Sequence, residues 1–170
     1  LEHFSLGQTD VPLMMATFGK ALGCAGAFLA GPENLIELMV QKARPYIYST
    51  ALAPAMAVAA TQSLRMLRAE QWRRDHLSAL INRFREGAQQ AGLSLLNSSS
   101  PIQPLLVGTA TRALAISEAL FRSGILITAI RPPTVPINSS RLRITLSASH
   151  SEQDIDVLLK ALHVCCVDGN

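Results

Sequence analysis

The chain is short of charge, of aromatic rings and of cysteine. Of its 170 residues, 16% are charged and 5% aromatic. The formal net charge is +3, but the positive residues are scattered and make no basic stripe of the kind a nucleic-acid footprint needs. The densest group, Arg65, Arg68, Arg73 and Arg74, is interleaved with Glu70 and Asp75, as on a solvated helix face. So few aromatics exclude a base-stacking platform. The three cysteines, Cys24, Cys165 and Cys166, form neither a disulfide framework nor a C-x-x-C metal pair. That usage suits a reduced, cytosolic (cytoplasmic) protein. The four histidines, His3, His76, His150 and His163, lack metal-ligand spacing and read as structural or solvated. No Ser-His-Asp arrangement is defensible either. The longest apolar stretch, Ala51 to Ala60, is interrupted by Pro54 and is too short to cross a bilayer. No basic segment with a following apolar run opens the chain, so no signal peptide is expected. The opening Leu1-Glu2-His3-Phe4 has no initiator methionine and is expected to lie inside a longer protein.

Apolar side chains are abundant, at 49%. That supplies a core for one domain, or for one and part of another, and with low charge it argues against disorder. The stretch of most interest is Ala16-Thr17-Phe18-Gly19-Lys20-Ala21-Leu22-Gly23, between the apolar runs Leu13–Ala16 and Ala27–Ala30. A lysine between two strands expected to be buried sits where an ammonium tends to lose its proton. A neutral amine is a nucleophile toward carbonyls, including that of pyridoxal phosphate. The competing reading is a solvated loop lysine. Two phosphate-loop patterns fail. Gly19-Lys20 has Met14 in place of the first Walker glycine and Ala21 in place of the hydroxyl, and Gly19, Gly23 and Gly26 miss the G-x-G-x-x-G spacing.

Along the chain, strands are expected over Leu13–Ala16 and Ala25–Ala30. A helix follows Gly31-Pro32, since proline suits a first helical position, and Arg44-Pro45 breaks it. Tyr46–Thr50 reads as a connection. An alanine-rich helix starts near Pro54, and a second, with Trp72, Leu77, Leu80, Ile81, Phe84 and Ala88 at three- and four-residue steps, ends at Gly92. Beyond it, residues 93 to 165 read β-β-α-β-β-α. The strands are Leu93–Leu96, Gln103–Val107, Ile125–Ile130 and Arg141–Leu146, the helices Arg112–Arg122 and a last one begun by the Ser151-x-x-Asp154 capping box. That is a compact α+β unit. Arg131 stands at the head of a loop stiffened by Pro132, Pro133 and Pro136, and Arg143 points from a strand. Either guanidinium could grip a carboxylate through two hydrogen bonds. The plain alternatives are a helix-dipole or solvent partner for Arg131 and an edge-strand charge facing water for Arg143.

Taken together, Thr17 to Gly23, Tyr48-Ser49-Thr50, Ala129 to Pro136, Arg141-Leu142-Arg143-Ile144-Thr145 and Ser147-Ala148-Ser149-His150 resemble the α-oxoamine synthases in order and spacing. The resemblance implies a fold-type I enzyme dependent on pyridoxal 5'-phosphate, a homodimer with shared active sites. It implies an acyltransferase that joins L-alanine to a pimeloyl thioester, on acyl carrier protein or CoA, in biotin biosynthesis; related members use glycine or serine. Lys20 would be the catalytic Schiff-base lysine. Thr17 would contact the cofactor phosphate, and Ser49 or Thr50 the phosphate in the neighbouring subunit. Arg143 would hold the amino-acid carboxylate, with Arg131 and Thr134 lining the substrate side. The family's glycine-rich segment, ring-stacking histidine and pyridine-nitrogen aspartate precede the lysine, and Asp10 is too close to Lys20 to be that aspartate. The expected organisation is therefore α/β to α+β: the end of a large domain over 1–50, connecting helices over 51–92 and a small C-terminal α+β domain over 93–170. The chain alone is expected to be inactive. The rival reading is a non-catalytic α+β dimerisation or interaction module.

Overall fold

The computed structural model describes residue 1 and residues 4–168; His3, read as structural or solvated, lies outside the described residues. The chain divides into two compact units, Leu1–Glu70 and Gln71–Asn170.

In the first unit, β1 (Met14–Thr17) and β2 (Ala27–Ala30) form an antiparallel hairpin, with Met14 opposite Ala30 and Thr17 opposite Ala27. Three helices follow: α1 (Glu33–Lys42), α2 (Arg44–Ile47) and α3 (Pro54–Ala69). Pro32 caps α1 and does not enter its first turn. The break at the end of α1 falls on Ala43, whose backbone is extended. Pro45 then occupies the first turn of α2, where its missing N–H has no helical partner to lose, so Tyr46 is helical and not part of an open connection. The expectation of buried strands is not met. Neither β1 nor β2 holds a buried residue, and Met15 is 66% exposed. Among the described residues of this unit only Ala60 is buried, because a two-stranded hairpin has no second layer of its own to pack against.

The second unit is a three-stranded antiparallel sheet in the order β3 (Ile102–Gly108), β5 (Ser140–Thr145), β4 (Thr128–Ile130). Both outer strands run antiparallel to β5, so β3 and β4 are parallel to each other. They are joined through α5 (Ala110–Arg122), and β5 is inserted between them. Side chains alternate across a strand with period two. On β5, Ser140, Leu142 and Ile144 are buried, whereas Arg143 and Thr145 are exposed. On β3, Gln103, Leu105 and Val107 are buried between less buried neighbours. The helices α4 (Trp72–Gln90), α5 and α6 (Glu152–His163) meet the buried face through Leu80, Phe84, Ala113, Leu120, Ile155 and Leu162. On the other, open face Leu106, Thr128, Arg143 and Thr145 are exposed.

Two expected strands shrink. Leu93–Leu96 gives a single bridge, Leu95 to Leu105. The segment after it turns away under Arg85, whose guanidinium donates to the Ser98 carbonyl at 3.1 Å and to Gln103 Oε1 at 2.7 Å. Buried Gln103 in turn donates to the carbonyls of Ser98 and Ser100. The 125–130 strand is reduced to Thr128–Ile130, since β5 offers partners to those three residues only.

Helix α6 starts as its sequence dictates. Ser151 Oγ accepts from the Asp154 N–H and Asp154 accepts from the Ser151 N–H at 2.7 Å. Arg83 of α4 grips Asp156 through two hydrogen bonds of 2.9 and 2.8 Å and reaches Glu152 at 3.0 Å. These contacts hold two carboxyls below their ordinary range: Asp154 through the Ser151 backbone N–H, and Asp156 through its hydrogen bond from Arg83. A carboxyl depressed in the folded state contributes stability above its unfolded pKa and loses it as pH falls through the folded value. The melting temperature is therefore expected to fall below about pH 4. Melting curves of Asp154→Asn and Asp156→Asn should show a flatter acid limb than wild type, with the difference vanishing at the acid end.

Candidate functional site

The residues singled out in the sequence fall into two groups, one in each unit. Thr17, Lys20, Ser49 and Thr50 belong to the first. Thr17 ends β1, and the chain then loops through residues 18–26 before β2. The loop is closed by Phe18 N–H to Gly26 O at 2.9 Å and Cys24 N–H to Phe18 O at 3.1 Å, with an inner turn from Gly23 N–H to Lys20 O at 3.0 Å. That turn needs Gly23 at φ +66°, a conformation glycine adopts without steric cost. Ser63 of α3 fastens the loop from outside, donating to the Leu22 carbonyl at 2.9 Å. Phe18 stacks on Phe28 with ring centroids 5.6 Å apart.

The backbone of Lys20 is thus fixed while its side chain is exposed and, among the described residues, makes no ion pair. The expected burial of this ammonium is absent, so the water-poor setting proposed for its deprotonation is not found in the chain as it stands. Leu52 lies against the same loop at Gly26. A methyl group placed on Gly26 would meet Leu52 Cδ1 at 2.9 Å and Phe18 at 3.4 Å. Ser49 and Thr50 differ here. The Ser49 hydroxyl donates back to the Pro45 carbonyl, whereas Thr50 is exposed and makes no hydrogen bond among the described residues. A hydroxyl has one proton to donate, so Thr50 is the better placed of the two to serve an anion. Asp10 is engaged in its own turn, accepting from the Gly7 N–H at 2.8 Å.

Arg131, Thr134 and Arg143 belong to the second unit. Arg143 sits on β5, the central strand, between Pro104 of β3 and Thr128 of β4; it is not an edge-strand charge. It is exposed on the open face and pairs with no carboxylate among the described residues. Arg131 and Thr134 lie on the loop joining β4 to β5, which folds into two local turns, Thr134 N–H to Arg131 O and Ser139 N–H to Pro136 O, both at 3.1 Å. Arg141, one step up the open face from Arg143, lies opposite Leu106 and Ile130 and donates from Nε to the Ser139 carbonyl at 3.1 Å. The sheet strands and this loop carry no Asp or Glu. Between residues 93 and 163 the acids are Glu118 on α5 and Glu152, Asp154 and Asp156 on α6. The open face is therefore cationic without a counter-charge, suited to anionic ligands. Sequence spacing identified Arg131 and Arg143 but assigned no separate task to Arg141. Only its hydrogen bond to the loop carries that signal.

The remaining nucleophile and metal candidates are accounted for. His76 Nε2 donates to the His150 carbonyl at 2.9 Å, and His150 Nδ1 accepts from the Ser147 N–H. Burial and the adjacent Cys165 push the Cys166 thiol up, against the opposing pull of Arg112, so it is a poor thiolate. Among the described residues no His/Cys/Asp/Glu cluster has a metal-site arrangement, and no helix is long and apolar enough to cross a membrane.

Comparison with known proteins adds a family to this geometry. Residues 3–162 match the model of the aminotransferase class I and II family. An 8-amino-7-oxononanoate synthase of Pseudomonas putida (strain GB-1) is 58% identical over 165 residues, and that of Pseudomonas syringae pv. tomato is 56% identical. Each alignment covers 97% of this chain and 42% of the relative, so the chain spans less than half the length of these relatives. Among solved structures, a Sphingomonas wittichii serine palmitoyltransferase superposes with TM-score 0.85 at 26% identity, over 93% of this chain and 40% of that one. An 8-amino-7-oxononanoate synthase from Francisella tularensis gives TM-score 0.82 at 28%, over 94% and 47%. An SPT structure with its PLP internal aldimine gives 0.83 at 25%, over 90% and 39%.

The 18–26 loop depends on glycine at Gly26, whose φ of +107° is a conformation that residues with a Cβ rarely adopt. Gly26→Ala adds a methyl group that collides with Leu52 to a backbone cost of order 1–3 kcal/mol. Hydrogen exchange at the Phe18 and Cys24 amides is expected to accelerate, while amides of the second unit keep their wild-type rates.

Proposed function

The chain belongs to the aminotransferase class I and II family, and from that premise we propose that it is the C-terminal part of a pyridoxal-phosphate-dependent acyltransferase, an 8-amino-7-oxononanoate synthase. The whole enzyme would condense L-alanine with a pimeloyl thioester, releasing carbon dioxide and the carrier thiol. It would work as a homodimer in the cytoplasm, where its three cysteines stay reduced. The large-domain end over 1–50, the connecting helices over 51–92 and the small domain over 93–170 belong to the same proposal.

Two observations, each within its own unit, carry the reading: an exposed, unpaired Lys20 on a fixed turn in the first, and an arginine-bearing sheet face without Asp or Glu in the second. The residues present fit two ends of the cofactor. Lys20 offers an unpaired amine for the aldehyde carbon. Thr17 and Thr50 offer exposed hydroxyls without hydrogen-bond partners among the described residues for the phosphate, and Ser49 offers another once its hydroxyl leaves Pro45. When bound, the cofactor supplies an electron sink for the pair left at the substrate Cα. The chain's own groups do the rest. Lys20 Nζ moves a proton at Cα. Arg143, held rigidly between two flanking strands, grips the amino-acid carboxylate. Arg131 and Thr134 present a second donor set to the carboxylates on the substrate side. Such fixed cations cost no reorganisation when charge shifts during reaction.

The choice of alanine over serine rests on the curated relatives at 56–58% identity. The serine palmitoyltransferase likeness lies at 26%.

In the full-length protein, carbon dioxide release from L-alanine and a pimeloyl thioester is expected, with serine and glycine much slower. Lys20→Ala should lower turnover by about 10²–10⁴-fold, the usual worth of a positioned acid–base group, and should abolish the near-visible absorbance that pyridoxal phosphate gains on binding. Turnover insensitive to Lys20→Ala rejects the assignment. A chain that neither turns over substrate nor shifts the cofactor spectrum supports a dimerisation module instead.

A further inference from the structure

We propose that Arg141 is a positioning residue that pins the neck of the Arg131–Ser139 loop and so holds Arg131 and Thr134 toward substrate; this rests on the acyltransferase reading of that face. The prolines stiffen the loop's own backbone, but they do not tie it to the sheet. Its two internal hydrogen bonds, Thr134 N–H to Arg131 O and Ser139 N–H to Pro136 O, each close a local turn and tie neither turn to the sheet. Asn138 sits in the left-handed region at φ +61°, beside Ser139. Among the described residues, Arg141 is the one side chain that hydrogen-bonds to the loop, through Nε to the Ser139 carbonyl at 3.1 Å.

The backbone of Arg141 meets the other end of the same loop. It is the ladder partner of Ile130, the residue before Arg131. One residue therefore spans both ends of the neck, with its backbone at the entry and its guanidinium at the exit. Its stem is half-buried across from Leu106 and Ile130, which limits the positions the guanidinium can take. No carboxylate pairs with it among the described residues. A half-buried cation without a counter-ion is unfavourable unless its donors are used, and the Ser139 carbonyl is the acceptor it uses. Arg143, on the same face two residues on, makes no such contact and is left for ligand.

The test uses the full-length enzyme with L-alanine and a pimeloyl thioester. Arg141→Ala should speed hydrogen exchange at the Thr134 and Ser139 amides. It should raise KM for at least one of the two carboxylate-bearing substrates about five- to tenfold, the worth of one ordinary hydrogen bond, and change kcat less, because carboxylate grip is lost in ground and transition state alike. Arg141→Lys, whose ammonium can still donate to a carbonyl, should recover part of the KM. The double variant Arg131→Ala/Arg141→Ala should be no worse than Arg131→Ala alone, since the two act in series. Arg141→Met keeps the stem and removes the donors, and carries the same readings if the alanine variant does not fold. Unchanged loop exchange, or additive effects of Arg131→Ala and Arg141→Ala, overturns the proposal. If the wild-type enzyme turns over neither substrate, the functional reading falls, while the exchange rates still judge Arg141.

Discussion

The second unit depends on the two-residue alternation of β5. Along β5 the side chains alternate between the core and the open face, where Arg141 and Arg143 have a neighbouring strand on both sides. Leu142 and Ile144 are essentially fully buried and form the seam on which α5 and α6 pack. At about 25 cal/mol per Å² of apolar area, that seam strongly disfavours any slip of register. A slip by one residue would place Arg141 and Arg143 in the core and Leu142 and Ile144 in water. The forces that stabilise the fold therefore also set where the arginines point. The cations need no partner to hold them, because the packing beneath them does so.

The first unit solves a related problem with fewer means. It has almost no core, and the lysine loop is shaped by short-range contacts: the ladder hydrogen bonds of the hairpin, glycines at φ +66° and +107°, and the Ser63 bond to Leu22 O. These fix backbone and leave the side chain of Lys20 unrestrained. Such an arrangement would suit the covalent role proposed for Lys20. A lysine held by an ion pair would have to break it first. In both units a rigid backbone presents an uncommitted cationic side chain.

Local signals were read correctly from sequence where the governing contacts are local. The Ser151–Asp154 capping box starts α6 as expected because its partners lie three residues apart. The alternation of Arg141 to Leu146 was visible for the same reason. What escaped the sequence depends on contacts far along the chain. Arg143 could be an edge or a central residue until the β3-β5-β4 order was known, and that order joins segments almost forty residues apart. Leu93–Leu96 has the composition of a strand, yet Arg85 and Gln103 draw the following segment into a polar turn. The apolar runs around Lys20 look like buried strands, but burial belongs to whatever packs against a strand and not to the strand itself. The arginines of the candidate site were legible by type and spacing. The division of labour between Arg141 and Arg143 was not, since it rests on one hydrogen bond to a backbone carbonyl.

The scarcity of charge noted at the outset becomes informative once it is placed on the fold. Between residues 93 and 163 the few acids lie on the helices, where they cap α6, join α4 to α6 through Arg83, or face Arg122 of their own helix. The arginines of the sheet face are left without them. Had a carboxylate stood opposite Arg143, its Coulomb attraction would have been spent inside the protein, and an arriving substrate would have had to displace it. With no internal partner, the attraction is available to a ligand, and it strengthens as the ligand excludes water from the face. The neutralising charge must then come from outside the sheet. A substrate bearing carboxylates meets that requirement, and a neutral one does not.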